Sequence, residues 1–176
     1  MMIRCFRFNL YLFYLATVPL LLWGCSSGKN KAEEITTLRI HIETSDPDSE
    51  RVLTAPVYRA NPKVITVNRS FFLNENDVMR ASVERTNSAF SIKLELTRHG
   101  AIVLETETTS NKGRRMAIFS QFGDVRWLAA PVIRRRIDGG ILVFTPDATE
   151  EEAERIVKGL NNLAKKNNNE RDPFKW

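Results

Sequence analysis

From Thr37 to Glu43 ("TLRIHIE"), Leu38, Ile40 and Ile42 alternate with Thr37, Arg39, His41 and Glu43, the period of two that marks a half-buried strand with His41 among the polar positions. Turn formers follow in "TSDPDSE". Val57–Tyr58 and Val64–Val67 are short apolar pieces separated by "RANP", where Pro62 argues against a long central strand. "NENDV" predicts a turn or a single helical turn capped by Asn74 or Asn76. Met79 to Thr86 and Phe90 to Leu96 then predict two strands. In the second, Phe90, Ile92, Leu94 and Leu96 alternate with Ser91, Lys93 and Glu95, the clearest alternation in the chain.

Arg98 to Lys112 contains no proline, starts after a candidate N-cap at Thr97 and stops at Gly113, which predicts a helix. Its buried face is expected to hold Ala101, Leu104, Glu105 and Thr108, with Gly100 allowing close packing. Met116 to Phe119 and Arg126 to Ala129 flank the turn "QFGD" and predict a hairpin. Pro131 then interrupts the chain before "VIRRRI", and "DGG" turns it into "ILVF", expected as a short buried strand. Thr149 followed by Glu152 forms a capping box. After it Ala153, Ile156, Val157, Leu160, Leu163 and Ala164 share one helical face, with Lys165 and Lys166 at its C-terminal end. "NNNERDPFKW", residues 167–176, has no period and is expected as a disordered tail.

Strands, a helix, more strands and a closing helix predict an α+β fold, an antiparallel sheet with two main helices packed on one face.

The N-terminal end changes the picture. Arg4 and Arg7 precede an apolar stretch of about 14 residues from Leu10 to Trp23, shorter than the roughly 20 needed to span a bilayer as a helix. A cleaved leader over residues 1–24 fits better than an anchor. Leu22-Trp23-Gly24-Cys25 resembles the lipobox of bacterial lipoproteins. The resemblance implies cleavage between Gly24 and Cys25, with the Cys25 sulfur carrying diacylglycerol and its new amino group an acyl chain such as palmitate. The alternative is a short uncleaved anchor. Of the two cysteines, Cys5 lies in the leader, so no internal disulfide is expected. Ser26 after the cysteine implies, by similarity to diderm lipoproteins, a periplasm-facing position on the outer membrane. Residues 25–36, with the polar run "SSGKNKAEE", read as the lipidated cysteine and a flexible tether.

Loss of Arg4 and Arg7 with the leader leaves 24 of the 26 basic residues against 21 acidic ones. That balance is too small to indicate nucleic acid. The two histidines, His41 and His99, stand near no second histidine or cysteine at metal-ligand spacing, so no metal or other cofactor is expected. An enzyme would need one of them beside a carboxylate in a polar cleft. The carboxylates at Glu150–Glu152 are explained as a helix N-terminus. Arg134, Arg135 and Arg136 are consecutive, and Arg114, Arg115 and Arg126 lie on neighbouring segments. If these form one sheet, alternate guanidiniums meet on a common face, where they serve either as a solvated charged edge or as a patch for carboxylates or lipid phosphates.

"GRRMAIFSQFGDVRWLAAPVIRRRIDGGILVFTPDATEEEAERIVKGLN", residues 113–161, resembles the head subdomain in the first periplasmic domain of SecD, a subunit of the bacterial protein-export machinery. Gly113 to Ile118, Ala130 to Ile133, Gly139 with Gly140, Phe144 with Thr145 and Glu151 to Glu154 carry the likeness, and "NENDVMRASV" and "FSIKLELTRHGAIVLETETTSNKG" extend it upstream. The resemblance implies a ferredoxin-like fold over residues 74–166, preceded by N-terminal strands over 37–73. It also implies contact with polypeptides emerging in the periplasm. In SecD that contact is driven by membrane helices, and this sequence carries no such spanning helix, so ion-driven export by this chain alone is not expected. The expectation is a non-enzymatic envelope lipoprotein that binds a protein partner or an extended polypeptide at the membrane surface through Phe122, Trp127 and Arg134 to Arg136, with Phe122 and Trp127 read alternatively as core residues. The alternative is a structural module docking another envelope protein or anionic lipid.

Overall fold

The computed structural model describes residues 34–45, 51–58, 60–87 and 89–171. The leader, Gly24, Cys25 and most of the tether lie outside them. The elements run β1 (Thr37–Glu43), β2 (Val52–Val57), β3 (Lys63–Asn74), a 3-10 turn (Glu75–Asp77), β4 (Val78–Arg85), β5 (Phe90–Leu96), α1 (Arg98–Ser110), β6 (Met116–Gln121), β7 (Val125–Ala129), β8 (Ile141–Phe144) and α2 (Glu150–Arg171).

The α+β class holds, with antiparallel sheets and two helices, and the strands divide between two sheets. The five-stranded sheet has the order β2-β3-β1-β6-β7 and the three-stranded sheet β4-β5-β8. The first crossing from one sheet to the other falls at the 3-10 turn. Asn74 caps it through its side chain, which accepts from the Asn76 N–H at 2.8 Å, and the Asp77 carboxylate reaches back to the Asn74 N–H at 3.1 Å. That reciprocal cap redirects the chain from one sheet into the other. β1, the first of the N-terminal strands, pairs along its length with β6.

Pro62 does not shorten the strand after it. β3 begins at Lys63 and runs 12 residues through "RSFFLN" as the second strand of its sheet. A proline at the threshold of a strand removes no ladder hydrogen bond. Two register shifts against β1 absorb the extra length of β3. β8 also differs from expectation: Leu142 and Phe144 are buried, but Ile141 and Val143 are 45% and 47% exposed, because this sheet has only one well-covered face, as the half-buried Lys93 and Glu95 opposite them on β5 show.

Helix α1 starts at the expected cap, where the Thr97 hydroxyl accepts from the Gly100 N–H at 3.2 Å, and it buries Gly100, Leu104 and Thr108. Helix α2 opens on the expected capping box. The Thr149 N–H donates to Glu152 Oε2 at 2.8 Å, and the Glu152 N–H donates to the Thr149 hydroxyl at 3.2 Å. The helix then continues past Lys166 to Arg171, through residues expected to be disordered. Asn167 contributes there by donating to Asn76 Oδ1 at 3.0 Å, which ties this part of α2 to the 3-10 turn.

The main core lies between the inward faces of both sheets and the helices. Ile156 and Leu160 of α2, Leu104 of α1, Leu38 and Ile40 of β1, and Ile92 and Leu94 of β5 are all fully buried in it, each worth about 1.5–3 kcal/mol. A second, smaller core occupies the other face of the five-stranded sheet, where Ala55, Val57, Ile65, Val67, Ala117 and Ala130 pack with Leu53 and Trp127. It exists because the two edges of that sheet, β2 and β7, curl into contact.

Candidate functional site

The structure separates the residues that the sequence grouped as contacts. Phe122 is 1% exposed and belongs to the main core, the alternative reading of this residue, and so is not a contact residue. The hairpin turn after β6 folds it inward, and the Arg126 guanidinium lies over its ring at 5.0 Å from the centroid. Trp127 is half-buried against the minor core, edge-on to His41 and to Phe119 at 5.3 Å each.

The arginines do not share a sheet face either. Arg126 points inward, with Nη1 at 3.1 Å from Asp124 and Nη2 at 2.7 Å from Glu152, the same carboxylate that caps α2. The contact with Glu152 is an ion pair off the hydrogen-bonding line, and Arg126 Nε has no hydrogen-bond partner among the described residues. Arg115 donates to the Ala130 carbonyl at 2.9 Å. Arg134, Arg135 and Arg136 are exposed, but on an irregular segment and not a strand. That segment is pinned at both ends. Gly113 N donates to Ile133 O at 2.9 Å, Ile133 N to Arg114 O at 2.8 Å, and Ile137 N to the buried Thr108 hydroxyl at 3.0 Å. Arg136 pairs with Glu105 at 2.8 Å. Among the described residues no carboxylate meets Arg134 or Arg135.

Between this segment and β8 runs an open groove of about 420 Å³. Met116, Leu142 and Ile133 form its buried side, Val132, Ile141 and Val143 its exposed side, and Arg134 and Arg135 border it. Apolar lining beside a free strand edge suits an extended chain, and guanidiniums suit carboxylates. The sequence placed the arginines but not the groove. The signal for it was the alternation within "ILVF", read as continuous burial.

His41 is not on the solvent side. It is 3% exposed, stacked edge-on against Phe71 and Trp127, and its Nδ1 lies 2.8 Å from the Asn68 carbonyl. A carbonyl only accepts, so Nδ1 carries the proton. Burial is the main influence on its pKa and lowers it from the usual histidine value; Arg39 acts the same way, and the hydrogen bond to Asn68 opposes both in part. His99 does meet a carboxylate, Asp77 Oδ1 at 3.0 Å, but its own side chain is 76% exposed at the start of α1. That pair fastens α1 to the 3-10 turn. Among the described residues, no group of three or more His, Cys, Asp or Glu side chains is placed to hold a metal ion, and no helix is long and apolar enough to cross a membrane.

The N-terminal end of the described chain is built into the domain. Residues Glu34 to Thr36 lie across α2 at Gly159, where a Cβ would fall 2.1 Å from the Thr36 hydroxyl. Asn162 donates to the Glu34 carbonyl at 3.1 Å, and Arg155 lies 3.5 Å from the Glu34 carboxylate.

What emerges is an α+β domain of antiparallel sheets and two helices, presenting an open groove beside an edge strand. The family model of the SecDF P1 head subdomain matches residues 50–163, well over half of the chain, and the protein belongs to that family. Its fold is similar to two solved structures. One is described as a membrane component SecDF that enhances protein export, at 22% identity and a TM-score of 0.54, covering 73% of this chain and 63% of that one. The other is SecDF in a super-membrane-facing form, at 22% identity and a TM-score of 0.53, covering 73% of this chain and 19% of that one. The chain thus spans less than two thirds of either. No curated protein matches it significantly by sequence.

Proposed function

We propose that this chain is a non-enzymatic, lipid-anchored protein of the bacterial envelope that holds a protein partner or an extended polypeptide at the periplasmic membrane surface, in the service of protein export. The observation that carries this reading is the open apolar groove beside β8, bordered by Arg134 and Arg135, on a domain of the SecDF P1 head family. The anchor is the lipobox-like Leu22-Trp23-Gly24-Cys25, with outer-membrane placement following from Ser26 in a diderm host. A polar tether between Cys25 and the segment seated on α2 keeps the groove within a few nanometres of the bilayer.

A docking module for one envelope protein or for anionic lipid draws on the same exposed guanidiniums of Arg134 and Arg135. Photo-crosslinking in intact cells from a reporter at Val132 separates the two. Many secreted chains in adduct support polypeptide holding, a single fixed adduct supports docking, and lipid adducts alone support the membrane reading. No adduct of any kind overturns the proposal. Mass spectrometry of the same purified protein reports the acyl groups on Cys25.

A further inference from the structure

We infer that the free edge of β8 is a strand-addition site, and that its ligand is an extended segment of another polypeptide in which apolar residues are flanked by carboxylates. This rests on the polypeptide-binding reading above and assigns the strand, the backbone groups and the charge that such binding would use.

The ladder itself identifies the groups. Leu96 N donates to Gly140 O at 2.9 Å, so Gly140 and Leu96 are a hydrogen-bonded pair. In an antiparallel ladder such pairs alternate with non-bonded ones. Leu142 opposite Leu94 and Phe144 opposite Ile92 therefore direct their N–H and C=O groups at β5. Ile141 and Val143, opposite Glu95 and Lys93, turn theirs the other way, into the groove. Among the described residues nothing meets those two amides and two carbonyls.

The opposite edge of the same sheet shows what a closed edge looks like here. By the same alternation Ala81 of β4 turns its backbone outward. Asn161 of α2 satisfies both groups, accepting from Ala81 N at 2.8 Å and donating to Ala81 O at 2.9 Å. One edge is capped by a side chain and the other is left bare. β8 also carries neither lysine nor proline, the usual guards of an exposed edge.

Charge decides the kind of segment. No acidic side chain is among the described residues lining the groove, and Asp138, the nearest acid along the chain, is not one of them. Arg134 and Arg135 border it exposed and without a carboxylate partner among the described residues. A guest strand would lie on Ile141 and Val143 and carry its acidic residues to those guanidiniums.

The test uses the purified full chain in detergent micelles and two fluorescent synthetic peptides of alternating valine and threonine, one flanked by glutamates and the other by lysines. The glutamate peptide is expected to bind at least about tenfold more tightly by fluorescence anisotropy, and hydrogen exchange at the Ile141 and Val143 amides is expected to slow on binding. Arg134→Glu with Arg135→Glu is expected to reverse the preference. Val143→Pro removes a donor that β5 does not use, a change an edge strand tolerates, and is expected to weaken binding about tenfold or more while circular dichroism stays unchanged. Equal binding of both peptides, or full binding by a folded Val143→Pro protein, overturns the site. If intact-cell crosslinks to secreted chains persist in that case, the polypeptide reading stands and only β8 is wrong; if they are absent too, the reading itself fails. Slow exchange at Ile141 and Val143 in a peptide-free dimer means a second copy occupies the edge, which also overturns the inference.

Discussion

At the scale of single residues, His41 shows how one burial event makes stability depend on pH. Its ring is enclosed by Phe71 and Trp127 and is held neutral, with a pKa below the ordinary 6.5. The unfolded chain therefore takes up this proton first as the solution is acidified. The contribution of His41 is fully present above about pH 6.5, is lost as pH falls from there toward the folded-state value, and levels off below it. The slope is at most about 1.4 kcal/mol per pH unit. Urea unfolding at about pH 7.5 and about pH 5.5 checks it. The wild-type protein should lose more stability on acidification than His41→Gln, which lacks the titrating ring and is less stable at the higher pH for want of packing.

At the scale of elements, α2 does two jobs beyond filling the core, and each rests on one residue. Gly159 admits the backbone of Thr36, and Asn161 closes the edge of β4. Gly159→Ala places a methyl group where Thr36 lies 2.1 to 2.8 Å away, so either the segment leaves the helix or the helix shifts, at a cost of about 1–3 kcal/mol. Thermal unfolding should show the loss. Asn161→Leu leaves the N–H and C=O of Ala81, a 4% exposed residue, without their partner. A destabilisation of about 2 kcal/mol is expected, read as a lower urea midpoint. Helix propensity moves the other way in that substitution, so a stability gain would refute the capping role of Asn161.

At the scale of the whole molecule, the proposed arrangement is a groove-bearing domain close to a membrane through a lipid at Cys25. Several acyl chains hold a protein to a bilayer firmly and one holds it marginally. Cys25→Ala should therefore abolish acylation and leave the leader uncleaved, so that the protein migrates as the larger precursor and lacks the acyl mass. Immunoblotting and mass spectrometry read this directly. Processing of Cys25→Ala to the wild-type size would show that cleavage and attachment lie elsewhere.

Most elements were legible because they are written in local periodicity. The alternation of Phe90 to Leu96, the Thr149–Glu152 cap and the Asn74 cap each needed only a few neighbouring residues, and all three stand in the structure. The order of motifs from Gly113 to Glu154 gave the family. What local pattern does not contain is which faces end up covered. His41 is buried only because β2 and β7 curl together, Phe122 only because its turn folds under Arg126, and the backbone groups of Ile141 and Val143 stay bare only because no strand follows β8 in its sheet. The sequence by itself determined the strands, helices and caps, since these depend on contacts within a turn or two of chain. The tertiary structure alone decided the second core and the open edge, since burial and free hydrogen bonds depend on residues far apart in sequence meeting, or failing to meet, in space.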